Sequence, residues 1–227
     1  MTFSAMRQSK IGEKIKALRA TLPQGVTLIA VSKYHPAEAV QAAYDAGQRD
    51  FGESKAQDLT AKHQALPKDI NWHFIGHLQT NKVKYIAPFV HLIHSIDSYR
   101  LLCEVNRQGE KAGRRIPCLL QIHIAQEESK FGLTPQECRD LLAAGEWRTL
   151  HNVELRGIMC MASNTPDTAQ LHREFACAQQ LFNEIKGLYF ADNERFGIIS
   201  AGMSDDHPIA IAHGSTHIRI GSSIFCE

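Results

Sequence analysis

Eight short strand-like runs punctuate the chain, at 26–32, 49–53, 71–76, 91–97, 118–125, 153–162, 196–200 and 217–225, the second of them short and polar. Each but the last is followed by a longer segment of helical pattern. Those segments cover 36–47, a stretch through Leu59 and Leu66 that stops at Pro67, 80–87, a stretch over Leu101, Leu102 and Val105, then 134–144, 166–186 and 204–214. A further helical pattern through Ile11, Ile15 and Leu18 opens the chain. Pro36 suits an early helical position, and Gly47 a left-handed cap. Strict alternation of strand and helix implies a parallel sheet covered by helices. Eight units of about 28 residues fill 227 residues, the arithmetic of a (β/α)8 TIM barrel in one domain, 1–227. An open doubly wound sheet shares the alternation, but the count of eight favours the barrel. The last run has no helical segment after it, so the opening helix is expected to take that place in the outer ring.

Charge and composition exclude several classes. Lys+Arg total 25 against Asp+Glu 24, a net charge of +1, so no basic face for nucleic acid is expected. No apolar run approaches the length of a membrane span, and the N-terminus lacks the pattern of a secretory signal, so the expected compartment is the cytoplasm. Six cysteines are scattered without a C-x-x-C pair and read as buried thiols. Among twelve histidines there is no H-E-x-x-H. His91 and His94, three apart on a strand, face opposite ways, and His73 and His77 flank a strand end, so no metal site is expected.

A barrel carries its chemistry on the loops after its strands. Lys33 follows the strongly apolar LIAVS, where a water-poor rim would favour a neutral, nucleophilic amine able to form a Schiff base; a solvated rim lysine is the simpler alternative. Ile-Ser-Ala-Gly-Met-Ser-Asp-Asp at 199–206 runs small residues into a helix start, which suits a phosphate, although Ser204, Asp205 and Asp206 also serve as ordinary caps. Arg-Ile-Gly-Ser-Ser at 219–223 adds Gly221 for close backbone approach and two hydroxyls. If Ile218 and Ile220 pack outward, Arg219 points into the barrel mouth; a structural salt bridge is the alternative for Arg219. A phosphate cradle after strands seven and eight, beside a lysine on strand one, matches the needs of pyridoxal 5′-phosphate (PLP).

These stretches resemble the PLP homeostasis proteins over nearly the whole chain. The resemblance is carried by AVSKYHPAE around Lys33, FGESKAQ at 51–57, WHFIGHLQTNK at 72–82, HSID at 94–97, ESKFGL at 128–133, LRGIM at 155–159, GMSDD at 202–206 and GSTHIRIGSSIF at 214–225. It implies a barrel of the alanine racemase N-terminal type with an extra N-terminal helix. It implies PLP held as a Schiff base on Lys33, a phosphate held by Ser200 and the backbone around Gly202, Gly221 and Ser222, and Arg219 beside the pyridine nitrogen. It also implies a role in vitamin B6 and amino-acid balance without established turnover. PLP-dependent apo-enzymes are then candidate recipients, and the chain a monomer or weak dimer. The sequence departs from the family in Ser54, where asparagine is common, in Ala201, where methionine is common, and in its ending Ile-Phe-Cys-Glu.

A positive arginine beside the pyridine nitrogen disfavours its protonation and weakens the electron sink, which argues against a transaminase. Alanine racemases share that arrangement but take their second base, a tyrosine, from another domain, for which 227 residues leave no room. Tyr34 points away from Lys33 if the strand alternation persists. The favoured expectation is a non-catalytic PLP carrier. A low-activity PLP-dependent amino-acid racemase or lyase is the runner-up, and a phosphate-sugar aldolase using Lys33 the third reading.

Overall fold

In the computed structural model, which describes residues 3–126 and 131–226, eight parallel strands close into a barrel in sequence order. The strands are β1 (Thr27–Val31), β2 (Asp50–Glu53), β3 (Asn71–Phe74), β4 (Leu92–Ile96), β5 (Ile116–His123), β6 (Val153–Met161), β7 (Ile198–Ser200) and β8 (His217–Ile220). The helices are α1 (Phe3–Thr21), α2 (Ala37–Asp45), α3 (Ala56–Ala65), α4 (Val83–Ile86), α5 (Tyr99–Lys111), α6 (Pro135–Ala144), α7 (Thr168–Tyr189), α8 (His207–Ala212) and α9 (Ser222–Phe225). The expected TIM barrel is thus what forms, and the open sheet is not. Closure runs through β1 and β8, with Ile29 opposite Arg219 and Ala30 opposite Ile220.

Strand residues divide between two faces. Ile218 and Ile220 join the layer between strands and helices, together with Leu28, Phe51 and Trp72. A second, smaller apolar set lies apart from it: Leu92, Leu119 and Met159, with Met161 and Ile198 packed against them. Alternation in β8 therefore sends Arg219 inward, as the sequence suggests. Gly52 also faces the interior, where a Cβ would come within 3.1 Å of both Ile29 and Ile75.

The opening helix does what the missing eighth helix would do. α1 contacts α2 and α9 and buries Ile11 and Ile15 in the outer core. Gly12 is the point of closest approach, with an added Cβ 3.2 Å from that of Ala46. Lys14 Nζ donates to the Cys226 carbonyl, tying α1 to the tail.

Several local expectations need correction. The last run is not one strand: β8 ends at Ile220 and the four-residue α9 follows. α8 begins at His207 rather than 204, and the Asp206 carboxylate accepts from the Met203 amide at 2.5 Å, behind the helix rather than in it. Pro36 stands just before α2, while Gly47 takes the expected left-handed turn at φ +93°. Cys118, Cys138 and Cys160 are buried thiols, but Cys177 and Cys226 are exposed. Glu128, Ser129 and Lys130 of the ESKFGL stretch, and Glu227 of the tail, lie outside the described residues.

Candidate functional site

The strand C-termini open into a cavity of about 490 Å³. Four of the six residues singled out from the sequence line it: Lys33, Arg219, Gly221 and Ser222. Ser54, Ile75, His77, Gln121, Phe131, Met161 and the segment Met203–Asp205 complete much of its wall.

Lys33 lies two residues past β1 and is exposed, so the desolvation expected for its amine is not present at this position. What fixes it is the strand end beneath. Ser32 is fully buried; its hydroxyl donates to Glu53 Oε1 at 2.6 Å, and its carbonyl accepts from Lys62 Nζ at 2.8 Å. Lys62 also pairs with Glu53 at 2.5 Å. A buried ion pair between β2 and α3 thus clamps the backbone immediately before Lys33. The following residue, Tyr34, adopts φ +68°, rare for a residue with a Cβ, and its side chain is 76% exposed. The loop turns the Tyr34 ring outward, and it does not line the cavity.

Arg219 forms part of the cavity floor and is 5% exposed. Its Nη1 donates to Ser200 Oγ at 2.7 Å and its Nη2 to the Cys160 carbonyl at 2.9 Å. Among the described residues no carboxylate pairs with it, so the structural salt bridge considered from sequence is not seen there. Burial lowers its pKa from the ordinary value, yet a guanidinium remains charged. Among the described residues, the result is a buried cation hydrogen-bonded to neutral oxygens.

Ser200 occupies a different place from the one expected. It is fully buried, does not line the cavity, and its hydroxyl sits between Arg219 and His94 Nδ1, 3.0 Å away. Ser200 thereby positions Arg219. Gly202 does not line the cavity either, but it shapes the segment that does. Its φ of +94° and a Cβ position 2.8 Å from His207 Cα leave room only for glycine, and its carbonyl accepts from the Arg219 amide at 2.9 Å. Beyond it, Ser204 Oγ and Ser222 Oγ lie 2.9 Å apart, joining the two halves of the expected phosphate cradle. Gly221 is needed against the protein itself: a Cβ there would lie 3.2 Å from the Val31 carbonyl.

Beneath Arg219 a hydrogen-bonded chain continues through the barrel. His94 Nε2 lies 2.9 Å from His73 Nδ1, and His73 Nε2 lies 3.1 Å from Asp50 Oδ1. Burial holds the His94 pKa well below its ordinary value, so the ring is neutral. An ionised carboxylate can only accept, so Asp50 sets the tautomers of both neutral rings when the chain is intact. Ser200 then donates to His94, His94 to His73, and His73 to Asp50.

His77 is a lining residue that the sequence reading did not assign. Its Nδ1 lies 3.1 Å from Asp97 Oδ2 and its ring stacks on Phe131 with centroids 4.1 Å apart. The stretch WHFIGHLQTNK contains it, but nothing in the spacing says which histidine faces the mouth.

Comparison with known proteins agrees with this architecture. The family model described as alanine racemase, N-terminal domain, matches residues 7–227. A pyridoxal phosphate homeostasis protein of Escherichia coli (strain K12) is 38% identical, covering 99% of this chain and 97% of that protein. Its counterpart in Helicobacter pylori is 37% identical over 89% of this chain and 88% of its own length. The structure of PipY from Synechococcus elongatus with PLP bound superimposes with a TM-score of 0.85 at 37% identity, over 95% of this chain and 99% of PipY. An alanine racemase of Clostridium difficile shares the fold at a TM-score of 0.76 and 10% identity, matched over 56% of its length. With a family model spanning the barrel and relatives this similar along nearly their whole length, the chain belongs to the pyridoxal phosphate homeostasis proteins of the alanine racemase N-terminal domain family.

Proposed function

We propose that this chain binds PLP at the strand C-terminal mouth, with Lys33 as the attachment point, and acts in PLP homeostasis as a non-catalytic carrier. The observation that carries the reading is Arg219, a buried cation held by neutral oxygens among the described residues, placed in the same cavity as an exposed lysine and a hydroxyl-lined glycine turn. Lys33 and Arg219 outnumber Asp205 among the charged side chains of the lining, which suits a dianion. The residues therefore fit the group. Bound PLP supplies an electrophilic aldehyde and an electron-withdrawing ring.

Each residue then has a task. Lys33 presents its amine from the clamped end of β1. The backbone at Met203–Asp205 and Gly221–Ser222, with the Ser204 and Ser222 hydroxyls, holds the phosphate. Arg219 donates to the ring nitrogen, and Ser200 keeps the guanidinium in place. A donor that cannot give up its proton keeps that nitrogen unprotonated, which blunts carbanion chemistry and supports holding over turnover. The names of the relatives and the PLP-bound PipY structure point the same way and weigh against the aldolase reading. A low-activity racemase remains the second reading, because His77 lines the same cavity as Lys33 and is oriented by Asp97.

The exposed rim supports delivery to apo-enzymes. Tyr34, Phe131 and Met203 are 76%, 55% and 40% exposed around the mouth, an apolar fringe suited to transient docking by a monomer or weak dimer. Among the described residues, no helix is long and apolar enough to cross a membrane.

Titrating the purified protein with PLP and following visible absorption tests the binding reading. A saturable new band, lost in Lys33→Ala, is expected; no band in the parent protein would overturn it. Following α-proton exchange on a panel of amino acids tests the carrier reading. Sustained exchange that Lys33→Ala abolishes would replace it with the racemase.

A further inference from the structure

The barrel has a second polar end that the PLP reading does not use. Asp50 opens β2, His91 immediately precedes β4, and His73 sits on β3 between them, its register partners being Gly52 and Leu92. Asp50 and His91 lie at strand N-termini, the ends opposite the cavity, and His73 reaches Asp50 from within the barrel. One potential ligand atom from each falls within 4.8 Å of the others. His91 is exposed, and its ring makes no hydrogen bond among the described residues. His73 is 1% exposed and held by His94, the arrangement by which a metal-binding histidine is usually oriented through its other nitrogen. The strand-alternation argument against a shared metal applies to His91 with His94; His91 lies before the strand and turns to His73 instead, with ring centroids 5.3 Å apart.

We propose that Asp50, His73 and His91 bind a divalent transition metal of the zinc class, and that the His73–His94–Ser200 chain carries its occupancy to Arg219. Two imidazoles and one carboxylate form a donor set for such ions, with the remaining position left to water. The set has its own counter-charge in Asp50, against the more distant cations Arg114 and Arg156 that face His91.

The coupling follows from proton positions. Without metal, His73 carries its proton on Nε2, facing Asp50. A metal on that nitrogen requires the proton on Nδ1, which then donates to His94 Nε2. His94 must in turn carry its proton on Nδ1 and donate to Ser200 Oγ. The three hydrogens are kept, both rings change tautomer, and Ser200 changes from donor to acceptor. Metal at one mouth thus resets the hydroxyl that positions Arg219 at the other.

Titration of the full chain with zinc in a calorimeter, and with cobalt followed by its visible absorption, tests the site without requiring PLP. One ion per chain is expected, with affinity lowered about tenfold or more in His91→Ala, an exposed substitution that leaves the core untouched. Equal binding by parent and variant, or none by either, would overturn the site. NMR of the ring nitrogens in histidine-labelled protein tests the coupling. Zinc is expected to move the His94 proton from Nε2 to Nδ1 in the parent and not in His91→Ala, and an unchanged His94 in zinc-loaded parent would overturn the relay. Because neither readout involves PLP, failure here is separate from failure of the carrier reading.

Discussion

Ser200 and Arg219 face the barrel interior on adjacent strands, and their hydrogen bond separates two roles for the serine. If Ser200 held the phosphate, Ser200→Ala would weaken competition by inorganic phosphate for the PLP site. If it positions Arg219, phosphate competition is unchanged, while the absorption of PLP-loaded protein shifts in the direction seen for Arg219→Gln. The geometry predicts the second result. The same substitution leaves the buried guanidinium one acceptor short, which is expected to cost about 1–3 kcal/mol in denaturant unfolding. Gly202→Ala is expected to cost a similar 1–3 kcal/mol, roughly, because φ +94° and a 2.8 Å approach to His207 act together; an unfolding midpoint equal to the parent's would contradict this. Arg219 and Lys33 were legible from sequence because alternation in β8 and the apolar run before Lys33 are local signals. Ser200, given by the resemblance as a phosphate-holding residue, is hydrogen-bonded to Arg219 and His94, and its three-residue strand gives almost no alternation from which to read that face. His77 was missed because loop conformation, not spacing, turns it to the mouth, whereas Ser204 lay within the stretch read as suiting a phosphate.

Between β2 and α3, the Glu53–Lys62 pair is the contact on which the end of β1 depends. Both members are buried, and Glu53 Oε2 has no hydrogen-bond partner among the described residues. Lys62→Met is therefore expected to cost about 3–5 kcal/mol by stranding the carboxylate. Adding Glu53→Gln should recover much of that loss; a double variant as unstable as the single would contradict the pairing. α3 also carries His63, stacked on Phe89 with centroids 3.8 Å apart. Burial, aided by the Lys68 charge, lowers the His63 pKa. The unfolded chain takes up that proton first, so the stabilising contribution is complete above the unfolded value of about 6.5 and is lost as pH falls below it. The stability difference between the parent and His63→Leu should shrink from about pH 7 to about pH 5 in urea unfolding, and a constant difference would refute the linkage. At this scale the strands were the legible part, since two-sided burial writes them as continuous apolar runs. Of the short helices, α4 and α8 fall within the expected segments 80–87 and 204–214, but two short elements were not legible. α9, with four residues, is too short to show a period, and the turn at Glu146–Thr149 left no pattern at all.

The barrel as a whole places two polar mouths at the ends of one hydrogen-bonded chain, with the apolar set around Leu119 and Met159 packed beside it. Sequence arithmetic predicts the closure, because eight strand units leave one helix to be supplied by the N-terminus, and α1 supplies it. It does not predict the chain through the interior, since Asp50, His73, His94 and Ser200 come from four strands and meet only once the barrel closes. Delivery belongs to this scale too. Tyr34→Ala is expected to slow PLP transfer to an apo-enzyme, measured by recovery of the recipient's activity, with PLP affinity unchanged; equal transfer rates would remove the rim from the account. The central claim is that Lys33 holds PLP. Borohydride reduction of the PLP-loaded protein followed by peptide mapping tests it most directly: a pyridoxyl adduct on the peptide containing Lys33 is the predicted result, and an adduct elsewhere, or none, would contradict it.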